Sequence, residues 1–495
     1  MTSKTLRTTQ KAIGLGLMLC GTGLFGASQA FAQAPYAPNS YGYGQIQQTA
    51  SRAPMAPAEE GDQAEQPPAA STAPATPAPA AGSKNGACPV CKNGNGCKNG
   101  CNSCCEEECP EAECDCLMRL FDDDCGKNCF EDNGLTFSGW LSQGVNWNPD
   151  RPDNNVNGPV GFLDRANEYQ MNQFYLVLER AVDTSSCEWQ WGGRMDVLYG
   201  TDYYYTMARG LELEQDGTQR WNSDEGPNRT FGPDTGALYG IALPQAYAEI
   251  GGNDLSVKVG HFYTIIGYEV VTAPDNFFYS HMYTHMYGEP FTHTGVLGTY
   301  NLNDQVTLSA GIHNGWDNFD QVNDNMSFLG GISFTSEDEN TSLAFALTSG
   351  NERTIGTNVN RENRTMYSIV YTRKFCDDFT YILEHDYGFQ DDDAANGNQD
   401  SQWYGVAQYL FYDINCNTKA GVRAEWFRDD DGVRVPGGFA ANYYEVTTGV
   451  NWTFRDCMVL RPELRWDWAD SGARPYDDLS DANQFLLATD LIYSF

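Results

Sequence analysis

Beyond residue 32 the sequence has no run of the roughly twenty consecutive apolar residues that a membrane helix requires, so any membrane span must be built from strands. It is also poor in positive charge. Against 66 Asp and Glu stand only 30 Lys and Arg, a formal net charge of -36. Nucleic acid is excluded as a partner, because neutralising phosphates needs clustered Lys and Arg. Continuous apolar sequence is scarce too, with a mean hydropathy of -0.50, yet the chain carries 28 Tyr, 25 Phe and 11 Trp. Aromatics dispersed among alternating apolar and polar residues suit a membrane barrel better than a soluble core.

The front of the chain reads as export and spacing. Lys4, Arg7 and Lys11 precede an apolar stretch at 12–27 and then Ala30, Phe31 and Ala32, the pattern of a secretory signal cut after Ala32. Cys20 follows Leu19, where a lipoprotein signal carries a small residue, so lipidation is not expected. Residues 33–87, dominated by Ala, Pro, Gln and Ser, form a disordered linker. In residues 88–129 follow Cys88, Cys91, Cys97, Cys101, Cys104, Cys105, Cys109, Cys114, Cys116, Cys125 and Cys129. Zinc is the cytosolic reading of such spacing, but behind a signal peptide disulfides are expected. The odd number leaves a thiol for a partner outside the segment, such as a cell-envelope protein.

From about residue 135 to 495 apolar and polar residues alternate at period two, the mark of strands. Leu460, Pro462, Leu464, Trp466 and Trp468 share one face, with Arg461, Glu463, Arg465 and Asp467 on the other. Similar faces recur around Tyr444 to Phe454 and around Trp189 to Tyr199. Alternation alone does not fix which face looks outward; the signal peptide and the aromatic strand ends assign the apolar face to lipid. Short turns near Ser186, Asn253, Asn303, Asp338, Asp377, Asn417 and Asp456, alternating with longer loops, give an all-β fold: a transmembrane antiparallel up-and-down barrel of about sixteen strands. Cys187, Cys376, Cys416 and Cys457 all fall at these turns and are candidates for disulfides with one another or with the Cys-rich segment. The acidic blocks at 391–393 and 429–431 read as soluble loop.

Candidate lumen residues are Arg194, Asp196, Arg423, Glu425, Arg461, Glu463, Arg465 and Asp467, whose mixed signs argue against a strong ion preference. Long loops are expected at about 201–240 and 269–293. The second is too aromatic to sit in water and is read as a constriction packed inside the barrel, built from Phe277, Phe278, Tyr279, His281, Tyr283, His285, Glu289 and His293. A transition metal held by His281, His285, Glu289 and His293 is the alternative for a helical segment, but packing histidines are preferred, so no metal and no cofactor are expected. The cluster of Glu384, His385 and Asp386 is the one hint of an enzyme. Strand neighbours point to opposite faces, so His385 cannot share a site with both carboxylates, and no enzyme is expected.

Residues 167–175 (Asn-Glu-Tyr-Gln-Met-Asn-Gln-Phe-Tyr) with Glu179 and Arg180, together with 287–295 (Tyr-Gly-Glu-Pro-Phe-Thr-His-Thr-Gly), resemble the OmpL-like β-barrel porin family of planctomycete-type bacteria. The resemblance covers about 135–495 and implies a passive outer-membrane channel. The expected partners are therefore outer-membrane lipid, the barrel assembly machinery and small hydrophilic solutes; a homotrimer is a candidate assembly that the sequence does not decide. The N-terminal extension would then lie in the periplasm of a Gram-negative-type envelope. Leu491, Tyr493 and Phe495 resemble the C-terminal signal that the assembly machinery reads. A structural anchor, with the barrel in the membrane and the Cys-rich segment holding an envelope layer, is the second expectation.

Overall fold

The structure is a computed structural model that describes residues 134–214, 218–222, 238–320, 325–352, 362–376, 378–397, 399–455 and 457–495. The signal, linker and Cys-rich segments, and the turn residues Asp377 and Asp456, lie outside the described residues.

Seventeen strand segments form one sheet. They are β1 (Thr136–Trp147), β2 (Tyr169–Arg180), β3 (Gln190–Gly200), β4 (Gly240–Ala242), β5 (Ala246–Gly252), β6 (Leu255–Tyr263), β7 (Thr292–Asn303), β8 (Val306–His313) and β9 (Ser327–Thr335), followed by β10 (Thr341–Asn351), β11 (Asn363–Cys376), β12 (Phe379–Asp393), β13 (Gln399–Asn415), β14 (Thr418–Asp429), β15 (Ala441–Arg455), β16 (Met458–Ala469) and β17 (Asn483–Ser494). Every pairing between neighbouring strands is antiparallel, and β1 pairs with both β2 and β17, so the sheet closes. β4 and β5 both pair with β3 and are two pieces of one strand, which makes a barrel of sixteen. The break falls at Leu243, Pro244 and Gln245; proline has no N–H to give a ladder. There the backbone N–H of Asp196 donates instead to the Gln245 carbonyl at 2.9 Å.

Exposure fixes the sense of the alternation. Leu464 and Trp466 are 42% and 49% exposed, while Glu463 and Arg465 between them are buried. Trp191, Ile250, Phe328, Ile332, Leu410 and Leu487 point outward in the same way. The outward face is therefore apolar on strands all around the barrel and the charges face in. An outward aromatic row runs from strand to strand near the loop end: Phe345 lies 6.0 Å from Tyr367, Tyr367 6.1 Å from Tyr387, Tyr387 6.2 Å from Tyr404, Tyr404 5.6 Å from Trp426, and Tyr444 5.2 Å from Trp468. At the turn end Trp452 stacks near Phe454, and Tyr493 near Phe495. From Tyr444 to Phe454 is roughly 33 Å of strand at ~3.3 Å per residue, or about 25 Å of height at a tilt of ~40°, the height of an outer-membrane apolar band.

The barrel's two ends meet at the seam. The Gly139 N–H donates to the Phe495 carbonyl at 2.8 Å, and the Phe495 N–H to the Gly139 carbonyl at 2.9 Å. A side chain at 139 would run into the Phe495 ring, whose Cζ lies 2.8 Å from the position a Cβ would take. Cys187, Cys376, Cys416 and Cys457 all lie at the turn end of the barrel, and Cys187 and Cys457 are free thiols.

Two boundaries differ from the sequence reading. Asp391, Asp392 and Asp393 belong to β12 rather than to a loop, because β12 and β13 run past their neighbours and leave only a short connection. Asp429 closes β14 and is buried. Its Oδ1 accepts from the N–H groups of Gly432 and Val433 at 2.9 and 3.1 Å, and its Oδ2 from Arg434 and Val435 at 2.7 and 2.8 Å. A carboxylate that ties up four backbone donors orders the following loop instead of solubilising it.

Candidate functional site

The connection between β6 and β7, residues 264–291, does not extend into water. It folds into the barrel and contains a five-residue π-helical turn, Thr284–Gly288, all of whose residues are buried. An irregular segment inside a barrel carries orphan backbone groups that need partners. The inward side chains of β14 and β16 supply them. The N–H groups of Tyr283 and Thr284 donate to Glu425 Oε2 and Oε1 at 2.6 and 2.5 Å, and those of Tyr279 and Ser280 to Glu463 at 2.8 and 3.1 Å. In the opposite sense, Arg461 donates to the carbonyls of Ala273 and Asn276, Arg423 to that of Ser280, and Arg465 to that of His281. Carboxylates meet N–H groups and guanidinium groups meet carbonyls, so five wall residues hold one loop.

The wall charges also pair with each other. Arg423 lies 2.5 Å from both Glu269 and Glu445, Arg461 2.6 Å from Asp490, and Arg465 2.8 Å from Asp467. Tyr283 Oη donates to Asp467 at 2.7 Å. Burial by itself raises the carboxyl of Glu269, but Arg423 and His281 outweigh it and hold the group below its ordinary value. The rings of His281 and His285 stack 4.8 Å apart, and burial pushes both imidazoles down.

Two further loops join this interior packing. Phe162, from the 148–168 loop, stacks on Tyr205 at 4.2 Å and lies 4.1 Å from the His281 ring. Tyr205 belongs to the buried 3-10 turn Thr201–Thr206, in which Asp202 accepts from Asn172 and Gln173 at 2.9 and 2.8 Å.

The eight candidate lumen residues thus fall into two groups. Arg423, Glu425, Arg461, Glu463, Arg465 and Asp467 come together around the loop and are buried. Arg194 and Asp196 stand apart at the β4 break, where Asp196 accepts from Arg194, from Tyr175 Oη at 2.6 Å and from Gln245 at 2.9 Å. Of the aromatic loop residues, Phe277 and Phe278 pack on Phe411, Tyr279 donates to Asn172, Tyr283 immediately precedes the π turn, and His285 sits in it with Glu289 just after it. His293 is a correction: it belongs to β7, and its Nδ1 and Nε2 face His313 Nδ1 at 3.0 Å and Thr264 at 2.9 Å, so it is part of the wall and not of the loop. Sequence reasoning did not single out Glu269, Glu445 or Asp490, the partners of the three arginines. Period two placed Glu445 and Asp490 inward, but nothing local marked the Arg that each would meet. His385 faces outward with Glu384 and Asp386 inward, as the strand geometry required.

A family model described as "Putative beta-barrel porin-2, OmpL-like" matches residues 134–495, nearly the whole described chain. The chain belongs to this porin family. Among solved structures, this family member is similar to the outer membrane channel DcaP of Acinetobacter baumannii at 13% identity and a TM-score of 0.47, covering 76% of this chain and 99% of that one. It is also similar to an anion-selective porin from Comamonas acidovorans at 8% identity and a TM-score of 0.48, covering 73% and 99%. A third is OprB of Pseudomonas putida at 10% and 0.46, covering 74% and 95%. No curated protein matches the chain. As a porin of this family it is an outer-membrane barrel.

Proposed function

We propose that this porin is a passive channel for small hydrophilic solutes or ions, narrowed by the 264–291 loop. The observation that carries the reading is the strand number. Sixteen strands enclose more width than wall side chains can fill, and barrels of that size leave an aqueous channel unless other chain occupies them. Here the loop reaches from β6 and β7 to its anchor on β14 and β16, meeting β2 and β13 as well, so it sets the width, while the wall charges hold it in place. The mixed signs of those charges, paired among themselves, leave little net field to select an ion.

Both barrel ends and all seven short turns lie at one rim, and we place that rim and the N-terminal extension in the periplasm. On this placement the Cys-rich segment would share that side with the turn cysteines, which makes disulfide contact with an envelope protein the second role. Planar-bilayer recording of the full chain, with and without residues 33–129, tests both. Stepwise conductance in both supports the channel with a separate anchor; silence in both supports an anchor alone.

A further inference from the structure

We propose that Glu289, Glu384 and Asp386, with His285 beside Glu289, bind one divalent transition-metal cation, of the Mn²⁺ or Zn²⁺ type, where the inward-folded loop meets the wall. Glu384 and Asp386 are two apart on β12 and so share its inward face. Glu289 follows the π turn, with His285 four residues before it, and His285 Nδ1 lies 3.5 Å from Glu289 Oε2. One oxygen from each of the three carboxylates lies within 4.8 Å of the others. All four side chains are fully buried.

What marks this cluster is what its atoms lack. With the carboxyls ionised, both oxygens of Glu289, both of Asp386, Glu384 Oε2 and both ring nitrogens of His285 have no hydrogen-bond partner; only protons shared among the carboxyls, or the Ser368 hydroxyl on Asp386, would give the oxygens one. Buried polar atoms almost always have one. Glu384 Oε1 alone is engaged, accepting from the Tyr268 N–H at 3.0 Å and Ser368 Oγ at 3.4 Å. Elsewhere in the interior Glu269, Glu425, Glu463 and Asp467 are each satisfied by an arginine or by backbone N–H groups. Among the described residues no Lys or Arg forms an ion pair with Glu289, Glu384 or Asp386, because Arg423, Arg461 and Arg465 are committed to other carboxylates. Three carboxylates gathered without a counter-charge repel one another, and a cation among them removes that cost. Gly267, at φ 86°, brings backbone against the Glu289 carboxyl, where a Cβ would lie 2.6 Å from Glu289 Cδ, so the space beside that group is kept open.

The neighbouring trio of Glu269, His281 and His285 is the weaker home for an ion. Glu269 already accepts from Arg423, Tyr409 and the Met282 N–H, and a cation there would face the Arg423 guanidinium. Three carboxylates with an imidazole beside them suit Mn²⁺, Fe²⁺ or Zn²⁺. Thiolate ligands for Cu(I) are lacking, and Ca²⁺ asks for six or more oxygens. A bound ion would clamp His285 and Glu289 of the loop to Glu384 and Asp386 of the wall. This inference goes beyond the channel reading and does not depend on it.

The test is to unfold the full-length protein, strip it with a chelator, and refold it into detergent with or without Mn²⁺ before desalting. Bound Mn²⁺ is counted by electron paramagnetic resonance and displaced with Zn²⁺. About one Mn²⁺ per chain is expected for the wild type, with affinity lowered at least tenfold in Asp386→Asn and in Glu289→Gln and unchanged in Asp392→Asn, an exposed carboxylate on the same strand. Wild-type protein that retains no more Mn²⁺ than Asp386→Asn overturns the proposal. A second readout needs no variant: the heat-unfolding midpoint of stripped wild type should rise on refolding with Mn²⁺ and saturate near one equivalent, and an unmoved midpoint also overturns it.

Discussion

Arg423 connects more of the interior than any single neighbour, since it bridges Glu269 of the loop, Glu445 of the wall and the Ser280 carbonyl. Arg423→Met keeps much of the length but leaves two buried carboxylates uncompensated, a loss of about 3–5 kcal/mol. Urea unfolding in detergent should show that drop, and an unchanged midpoint would contradict the bridging role. Arg465 carries a related lesson. Read only as an inward residue, Arg465→Leu would alter conductance alone; bonded to Asp467 and the His281 carbonyl, it must also affect stability. Glu352 offers a pH test outside the strands. Burial, against the opposing pull of Arg364 and the Trp316 N–H, raises its carboxyl from 4.5 to about 7. The folded state therefore keeps a proton that the unfolded chain gives up, and stability is lost as pH rises from about 4.5 through about 7. Glu352→Gln cannot ionise, so its heat-unfolding midpoint should gain on wild type between about pH 5 and pH 8. A constant gap at both would contradict the assignment. At this scale the inward direction of each charge was legible from period two, but its partner was not, because Arg423 and Glu269 are joined only by a fold that returns a distant loop to the wall.

Strands were the most legible elements. The outward row of β16, Leu464 and Trp466, and that of β17, Phe485 and Leu487, follow directly from alternation, and the turn residues counted out sixteen crossings. Irregular elements were less so. Pro244 announces the break between β4 and β5 only once the pairing with β3 is known. His293 looked like loop because aromatic and histidine residues run on from it without a turn signal. The 148–168 loop gave no apolar load comparable to 277–287, yet Phe162 reaches the centre of the packing. One substitution tests the assigned lipid face. Leu464→Arg places a charge outward near mid-height and should cost about 2–4 kcal/mol of insertion stability, seen as reduced folded yield on heat-modifiable gels. Yield equal to wild type would mean that this face does not meet lipid.

The described residues form a closed sixteen-strand barrel with an apolar belt, aromatic rows toward both rims and an interior organised around one docked loop. Its family membership, its width and its outward face agree on an outer-membrane porin. The candidate site was half legible: the loop's aromatic load announced that it packs, and the alternating strands announced an inward charged wall, but the hydrogen bonds joining them depend on three-dimensional registry that no local pattern encodes. The cluster of Glu289, Glu384 and Asp386 is the extreme case, with its halves about a hundred residues apart in sequence. The central claim is that water and solute pass beside this loop. Single-channel recording of the purified full-length protein in a planar bilayer tests it most directly: the account predicts discrete, ohmic steps with weak ion preference, larger in Arg423→Met where the loop is loosened, whereas a correctly folded barrel that carries no current in either form would contradict it.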